Sequence, residues 1–544
     1  MKDAAIESLP NPPTAAPAEA LGARVGHGMA WIVAVTVANK LLTSLAQIVL
    51  GWQLDPSDFS VFAVATAFAG LIIVCRDAGM RELVIQRGQD NYDKLAGPTY
   101  WLAFWYNMLM ASIIAAVAFP LAAYLNKPSF AYVIIVIGVA APIGTLGSML
   151  QSKMRIDLEF ARGSKIAFWS NSLRQLSSIG FALGGLGAMA LAIPAVIAAA
   201  AETIIYGRSD KKRIWKLPAE RDKWPKLLGD SRWLMFGSLA NFSIDWAPFM
   251  VLLPLGLLSA DQNGLFYFGY SITAQVGVML GVSVVMVLMP ALTRLNDDPI
   301  RQGQAVLRSL RTLMLIASIA SLGLAACMPA LEGLLWHGKW AAVVPATIAL
   351  GVFFSWRITF GLTSALLMAQ GRFKLYAWLT LFEGVGLTLS CCLAALVKPD
   401  ATTVSLGAGL WLFVSRAGIC MWVTKQLGLP RRKLAVAMCS SWIIAIIAGA
   451  AGWSADHFLN LRGSLPQHIP FGSDTIKLAI VDLLRLSIAG GVTSMLFLVL
   501  ARVFLHEALL DVVNVAPVRL RRIMAVVCGV RLEPESTSTP PAQP

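Results

Sequence analysis

Ionisable side chains are scarce inside the long apolar stretches of this sequence. Each one is costly to place in a bilayer, so each is a candidate functional group. One stretch carries Asn39, Lys40, Thr43, Ser44 and Gln47, spaced near i, i+4 and i+7, which puts them largely along one helical face. Lys40 lies near the middle of its stretch, too deep for its ammonium to reach the interface comfortably. Such a stripe suits the wall of a wet cavity; the competing reading is a hydrogen-bonded seam between helices. A second stretch holds Asn171, Arg174 and Gln175, and two more hold Arg357 and Arg416, each nearer one end. A guanidinium stays charged and donates paired bonds to phosphate oxygens. Lys40, Arg174 and Arg357 are therefore expected to form a cationic cavity for a phosphate-bearing group. Arg416 reads instead as an anchor whose charge reaches the membrane surface.

Two acids complete the set. Asp245 stands beside Asn241 at i and i+4, and Glu383 lies in a later stretch. Either neutralises a cavity base, or binds Na⁺ or H⁺ and couples an ion gradient to a conformational change. Gln275 is placed to hydrogen-bond sugar hydroxyls or to pack in the core. Arg76 and Asp77 close an apolar run and read as an anchor more than as a gate. No catalytic residues are expected. The acids and histidines of 454–477 (Asp456, His457, His468, Asp474) lack metal-ligand spacing, and no Walker-type phosphate loop occurs. None of the seven cysteines forms a CxxC or Cys/His pattern, so no metal site is expected.

The elements that must position these groups are legible in composition. Of 544 residues, 57% are hydrophobic and 14% charged, against about 25% charged in a soluble domain. Apolar runs long enough to span a bilayer occur near 29–50, 59–75, 98–124, 129–150, 166–187 and 188–206. They resume near 233–257, 264–289, 309–330, 342–368, 375–397, 403–424, 434–453 and 478–504. An all-α polytopic membrane protein of about fourteen transmembrane helices is expected. The net charge of +14 resides in alternate short loops, such as 211–226 and 425–433, while the loops between them are poor in base. That alternation argues for membrane topology and against nucleic acid, and it places both termini in the cytoplasm.

Residues 1–27 read as a disordered tail, 28–206 as a first lobe of six helices and 207–232 as a basic linker. Residues 233–427 read as a second six-helix lobe, 428–504 as two further helices, and 505–544 as an amphipathic segment and tail. The amphipathic segment is expected to lie on the inner membrane surface, its arginines (Arg519, Arg521, Arg522) on anionic lipid. Leu54 to Phe62 can be laid on Leu258 to Phe266, both turning at the base-poor face and entering a small-residue helix. A pseudo-twofold along the membrane normal, with a substrate path between the lobes, is the expected arrangement.

Several motifs resemble those of Wzx-type polysaccharide flippases of the MOP superfamily. Leu54, Pro56, Asp58 and Phe59 form a turn followed by Asp77, Gly79, Ile85, Gln86 and Arg87; Met289, Pro290 and Arg294 end a later helix. Gly333 to Trp340 and Ala369-Gln370-Gly371-Arg372 resemble two further turns of that family. Order and spacing agree from about Trp31 to Leu427, with departures at Phe266 and in the added loop 454–477.

The resemblance implies a MATE-like fold and movement of an isoprenoid-pyrophosphate-linked oligosaccharide across the bacterial inner membrane for O-antigen, exopolysaccharide or capsule. From the residues themselves, substrate contact is expected by Lys40, Arg174, Arg357, Gln47, Asn171 and Gln275, with Asp245 and Glu383 as ion-coupling candidates; the family resemblance implies an acidic residue near the position of Asp245, which favours it over Glu383. No cofactor is expected beyond Na⁺ or H⁺ as coupling ion. Membrane lipids and polysaccharide polymerase or chain-length proteins are the expected partners. The alternatives are a multidrug/cation antiporter of the MATE type, and a membrane glycosyltransferase or polymerase. An antiporter needs acidic cavities, and a transferase needs a carboxylate pair on an aqueous loop.

Overall fold

The structure, a computed structural model, describes residues 18–74, 89–157, 159–209, 213–459 and 473–515, together with Arg521 and Ala525. Arg76, Asp77, Gly79, Ile85, Gln86, Arg87, His468, Arg519, Arg522 and Cys528 lie outside the described residues, as do 1–17 and 460–472. Among the described residues every regular element is helical. In chain order they are α1 (Ala18–Gln53), α2 (Pro56–Val74), α3 (Gln89–Tyr124), α4 (Pro128–Ile156), α5 (Phe160–Leu183) and α6 (Met189–Ser209). Then come α7 (Trp224–Leu252), α8 (Ala260–Arg294), α9 (Pro299–Trp336), α10 (Ala341–Ala369), α11 (Phe373–Val397) and α12 (Ala401–Val423). The chain ends on α13 (Arg431–Leu459), α14 (Ser473–Phe504) and the short α15 (His506–Val515).

Each apolar run read from the sequence falls on one of α1 to α14. Among the described residues, nine helices are long and apolar enough to cross a membrane, and Pro56–Leu71 is a shorter apolar helix. The expected fourteen spans thus exceed what length and composition alone support. α5 and α7 fall short because they carry the polar residues considered below.

Helix starts follow from local chemistry. Ser259 accepts from the Gln262 amide at 3.2 Å and caps α8, while Asp298 and Asp400 cap α9 and α12 in the same way. Several boundaries differ from expectation. α1 begins at Ala18, inside the expected tail. α7 begins at Trp224, inside the expected linker, because Leu227 and Ile214 bury themselves with Tyr92 and Tyr206 of the first half. The rest of that linker forms short 3₁₀ turns at Ile214–Lys216 and Arg221–Lys223.

Helix neighbours recur between the halves. α1 packs on α5 as α7 packs on α11; α3 pairs with α4 as α9 pairs with α10; α5 and α4 flank α6 as α11 and α10 flank α12. α2 and α8 meet each other at the centre. Their crossing is close: Asn263 donates to the Ser60 hydroxyl at 2.9 Å, and a Cβ on Gly264 would lie 1.8 Å from the Pro56 carbonyl oxygen. Ser60 and Gly264 are matched positions in the Leu54/Leu258 alignment, so the sequence echo marks the place where the two halves touch. α13 and α14 form a hairpin packed on α9.

The halves are closed against each other at the end bearing Asp55. The last carbonyls of α1 have no partner within their own helix. Gly51 accepts from the indole of Trp340 at 2.8 Å, and Ile48, whose i+4 amide lies within α1, accepts in addition from the indole of Trp336 at 3.1 Å. Trp52 and Leu54 accept from Lys339 at 3.0 and 2.9 Å, and Lys339 also pairs with Asp55 at 3.3 Å. Trp340 stacks on Phe268 at 4.0 Å and meets Phe59 edge-on. The turn between α9 and α10 therefore caps α1 from the opposite half.

At the other end, α15 does not lie free on a membrane surface. Its Asp511 pairs with Arg308 at 2.9 Å and Arg311 at 3.4 Å, Glu507 pairs with Arg311, and Leu509 and Val513 pack into the α9/α13/α14 core. Over His506–Val515 the apolar face therefore meets protein, while Arg519 and Arg522, two of the arginines expected on lipid, lie outside the described residues.

Candidate functional site: a polar cleft between the halves

The polar stripe of α1 faces α5 and α8. Asn171 donates to the Asn39 side chain at 3.1 Å, and Gln175 donates to Thr43 at 3.2 Å and to Asn171 at 3.4 Å. Across the halves, Lys40 donates to Gln275 Oε1 at 3.3 Å, and the Gln47 amide donates to the Ser271 hydroxyl. The structure thus joins the two readings of the stripe. Asn39, Thr43 and Gln47 form helix–helix seams, whereas Lys40 has no acidic partner among the described residues.

Arg174 makes no hydrogen bond or ion pair with a described residue. It shares an α5 face with Ser170, Asn171 and Ser178, turned away from the exposed Trp169 and Leu176, yet its own side chain is exposed. The α5 face carrying Arg174 and the polar stripe of α1 border the candidate cleft between the halves. Tyr267 of α8 and Glu202 of α6 lie within electrostatic range of its guanidinium.

Arg357 is positioned by a break in α10. Ser321 of α9 donates to the Gly351 carbonyl at 2.6 Å, and Trp442 of α13 donates to the Val352 carbonyl at 2.7 Å. With those carbonyls engaged from outside, the backbone tightens into a 3₁₀ turn at Ser355–Arg357. That turn points Arg357 at α7 and α8, where it pairs with Asp245 and donates to the Tyr270 hydroxyl. Tyr270 in turn donates to Asp245 Oδ1 at 2.9 Å. Of the two readings of Asp245, the structure places it as the partner of a cavity base, Arg357.

Glu383 and Arg416 form an ion pair that is almost wholly buried. Arg416 is therefore no surface anchor; its guanidinium lies 4.1 Å from the Phe360 ring centroid. Asn241 bonds the Tyr376 hydroxyl at 2.9 Å rather than its neighbour Asp245. The sequence reading missed Tyr267, Tyr270, Ser271 and Tyr376. A tyrosine in an apolar helix carries no periodic signal of its own, and only the polar residues it faces distinguish it. Among the described residues no cluster of His, Cys, Asp and Glu could hold a metal ion.

A family profile described as "Polysaccharide biosynthesis protein" matches residues 49–345, more than half of the chain. The chain belongs to this polysaccharide biosynthesis protein family. Similar relatives of this family member include the succinoglycan biosynthesis transport protein ExoT of Rhizobium meliloti (strain 1021), 25% identical over 71% of this chain and 74% of that protein. The lipopolysaccharide biosynthesis protein WzxC of Escherichia coli (strain K12) is 23% identical over 63% of this chain and 70% of its own length. Among solved structures, the lipid II flippase MurJ in an inward closed conformation superposes with a TM-score of 0.65. That match has 11% identity and covers 88% of this chain and 99% of MurJ. An inward-facing multidrug resistance MATE family transporter of the MOP superfamily gives a TM-score of 0.56 at 14% identity, covering 72% of this chain and 94% of that one. These likenesses show the fold: the family member is a multi-pass membrane protein, helical throughout its described residues and folded like these two transporters.

Proposed function

We propose that this chain is a transporter carrying an isoprenoid-diphosphate-linked oligosaccharide from the cytoplasmic to the outer leaflet of the bacterial inner membrane, for surface polysaccharide assembly. The observation that carries the proposal is that Lys40 and Arg174, on facing helices α1 and α5, have no ion-pair partner among the described residues. A diphosphate offers several anionic oxygens, and fixed cations in a low-dielectric bundle attract them more strongly than water-exposed ones would. Succinoglycan transport and lipopolysaccharide biosynthesis in the named relatives agree with this substrate class.

The closed Asp55 end faces outward under this reading, and the basic loops and both termini face the cytoplasm. Headgroups enter from the cytoplasmic side while the lipid chain stays in the bilayer, and the halves then rock about the α2–α8 crossing. No bond is broken, so no catalytic group is required. A cation antiporter fits less well, because Asp245 and Glu383 are each held by an arginine. If Na⁺ or H⁺ drives the cycle, Asp245, at 42% side-chain exposure, is the better coupling residue than the buried Glu383. Polymerase and chain-length proteins would receive the product.

In cells lacking the chromosomal copy, Lys40→Gln combined with Arg174→Gln is expected to cut surface polysaccharide at least about tenfold, the equivalent of 1.4 kcal/mol of lost binding. Membrane levels of the protein would stay normal. Full export by the double variant at normal expression contradicts the proposal.

A further inference from the structure

The two walls of the cleft differ in chemistry, and the difference implies a division of labour within the substrate. The α1/α5 wall carries Lys40 and Arg174. The α7/α8 wall presents a carboxylate and aromatic rings instead. Asp245 uses Oδ1 for both Arg357 and Tyr270, while its Oδ2 makes no hydrogen bond with a described residue and its side chain is 42% exposed. A half-exposed carboxylate repels a diphosphate, but it accepts strong charge-assisted bonds from neutral hydroxyls. The next residue, Trp246, is only half-buried. Its ring runs nearly parallel to that of Phe242, with 17° between the planes, and meets the Tyr267 ring at 6.2 Å. Phe242, behind it, is pressed against Gly70 of α2, where a Cβ would lie 2.5 Å from the ring. An indole face with a fixed carboxylate beside it matches a sugar ring, whose C–H face is apolar and whose rim donates hydroxyl protons.

We infer that Asp245, Trp246 and Tyr270 form a sugar subsite on the α7/α8 wall, binding the first sugar of the oligosaccharide while Lys40 and Arg174 bind its diphosphate. The inference rests on the transport reading above and names which wall reads which part of the headgroup. The first sugar is bonded directly to the diphosphate, so the two subsites must adjoin. Tyr267 is the junction, in ring contact with Trp246 and within electrostatic range of Arg174. Arg357 then serves as a positioning residue. It spends its charge holding Asp245 in place and leaves the diphosphate to the opposite wall.

The test compares two probes on the full-length protein in lipid nanodiscs. One is undecaprenyl diphosphate; the other is the oligosaccharide-bearing form extracted from cells deleted for this chain. Wild type is expected to bind the sugar-bearing probe at least about tenfold more tightly, as one charge-assisted hydrogen bond implies. Trp246→Ala and Tyr270→Phe are each expected to remove most of that advantage, with Trp246→Phe retaining part of it. Lys40→Gln is expected to weaken both probes together. An undiminished sugar advantage in the folded Tyr270→Phe protein and in any folded Trp246→Ala protein overturns the subsite, as does equal binding of both probes by wild type. Wild-type protein that binds neither probe overturns the transport reading itself.

Discussion

Arg174 and Arg416 are the same residue type in similar apolar helices, and their surroundings give them different work. Arg416 is sealed against Glu383 beneath the Phe360 ring, so its charge is answered within the protein. Removing one member of such a pair leaves an uncompensated buried charge and costs about 3–5 kcal/mol, whereas replacing both by apolar residues is often neutral. Glu383→Gln and Arg416→Met are each expected to lower the unfolding temperature of the purified protein clearly. Glu383→Leu combined with Arg416→Met is expected to recover most of the loss. A thermal unfolding series in detergent decides this, and single variants as stable as wild type would remove the structural role. The sequence showed these charges as functional candidates, but it could not show which were already spent. Glu383 and Arg416 are 33 positions apart and Asp245 and Arg357 are 112 apart, separations at which no helical period links partners. Lys40 bonds the neutral Gln275, and neither it nor Arg174 has an acidic ion-pair partner among the described residues.

Among the elements, the α2–α8 crossing brings the halves together backbone against backbone. Alanine at Gly264 would drive a methyl group into the Pro56 carbonyl, backbone against backbone, with no flexible side chain to yield. Gly264→Ala is expected to destabilise the protein by about 1–3 kcal/mol or to block its accumulation in the membrane. Gly491→Ala on α14, where a Cβ meets nothing within 4 Å, is the neutral control. Equal stability of the two variants would show that the crossing is looser than described. The apolar runs located these helices well, because lipid contact demands apolarity. Their ends were less legible. α7 extends back to Trp224 and α15 docks on α9 because amphipathic helix can bury itself on protein, which an apolarity scan does not register. The Leu54/Leu258 echo was readable as a repeat, but its meaning as a point of contact needed the third dimension.

For the whole molecule, the claim is that the halves exchange contact at the two faces of the membrane. The seal at the Asp55 end depends on Trp336, Lys339 and Trp340 capping α1 from the other half. Lys339→Gln combined with Trp340→Ala is expected to make a Gln47→Cys reporter react several-fold faster with a membrane-impermeant maleimide added from outside. An unchanged rate would mean that other contacts keep this end closed.

The central claim, that the Lys40/Arg174 cleft carries the diphosphate-linked headgroup across the bilayer, is tested most directly by flipping in sealed proteoliposomes. The substrate is the extracted undecaprenyl-diphosphate oligosaccharide, and the readout is its accessibility to an added glycosidase. Wild-type protein is expected to expose lipid from the inner leaflet at a rate well above protein-free vesicles. Lys40→Gln/Arg174→Gln protein, reconstituted to the same density, is expected to fall close to the protein-free rate. Equal rates for wild-type and double-variant vesicles would contradict the account.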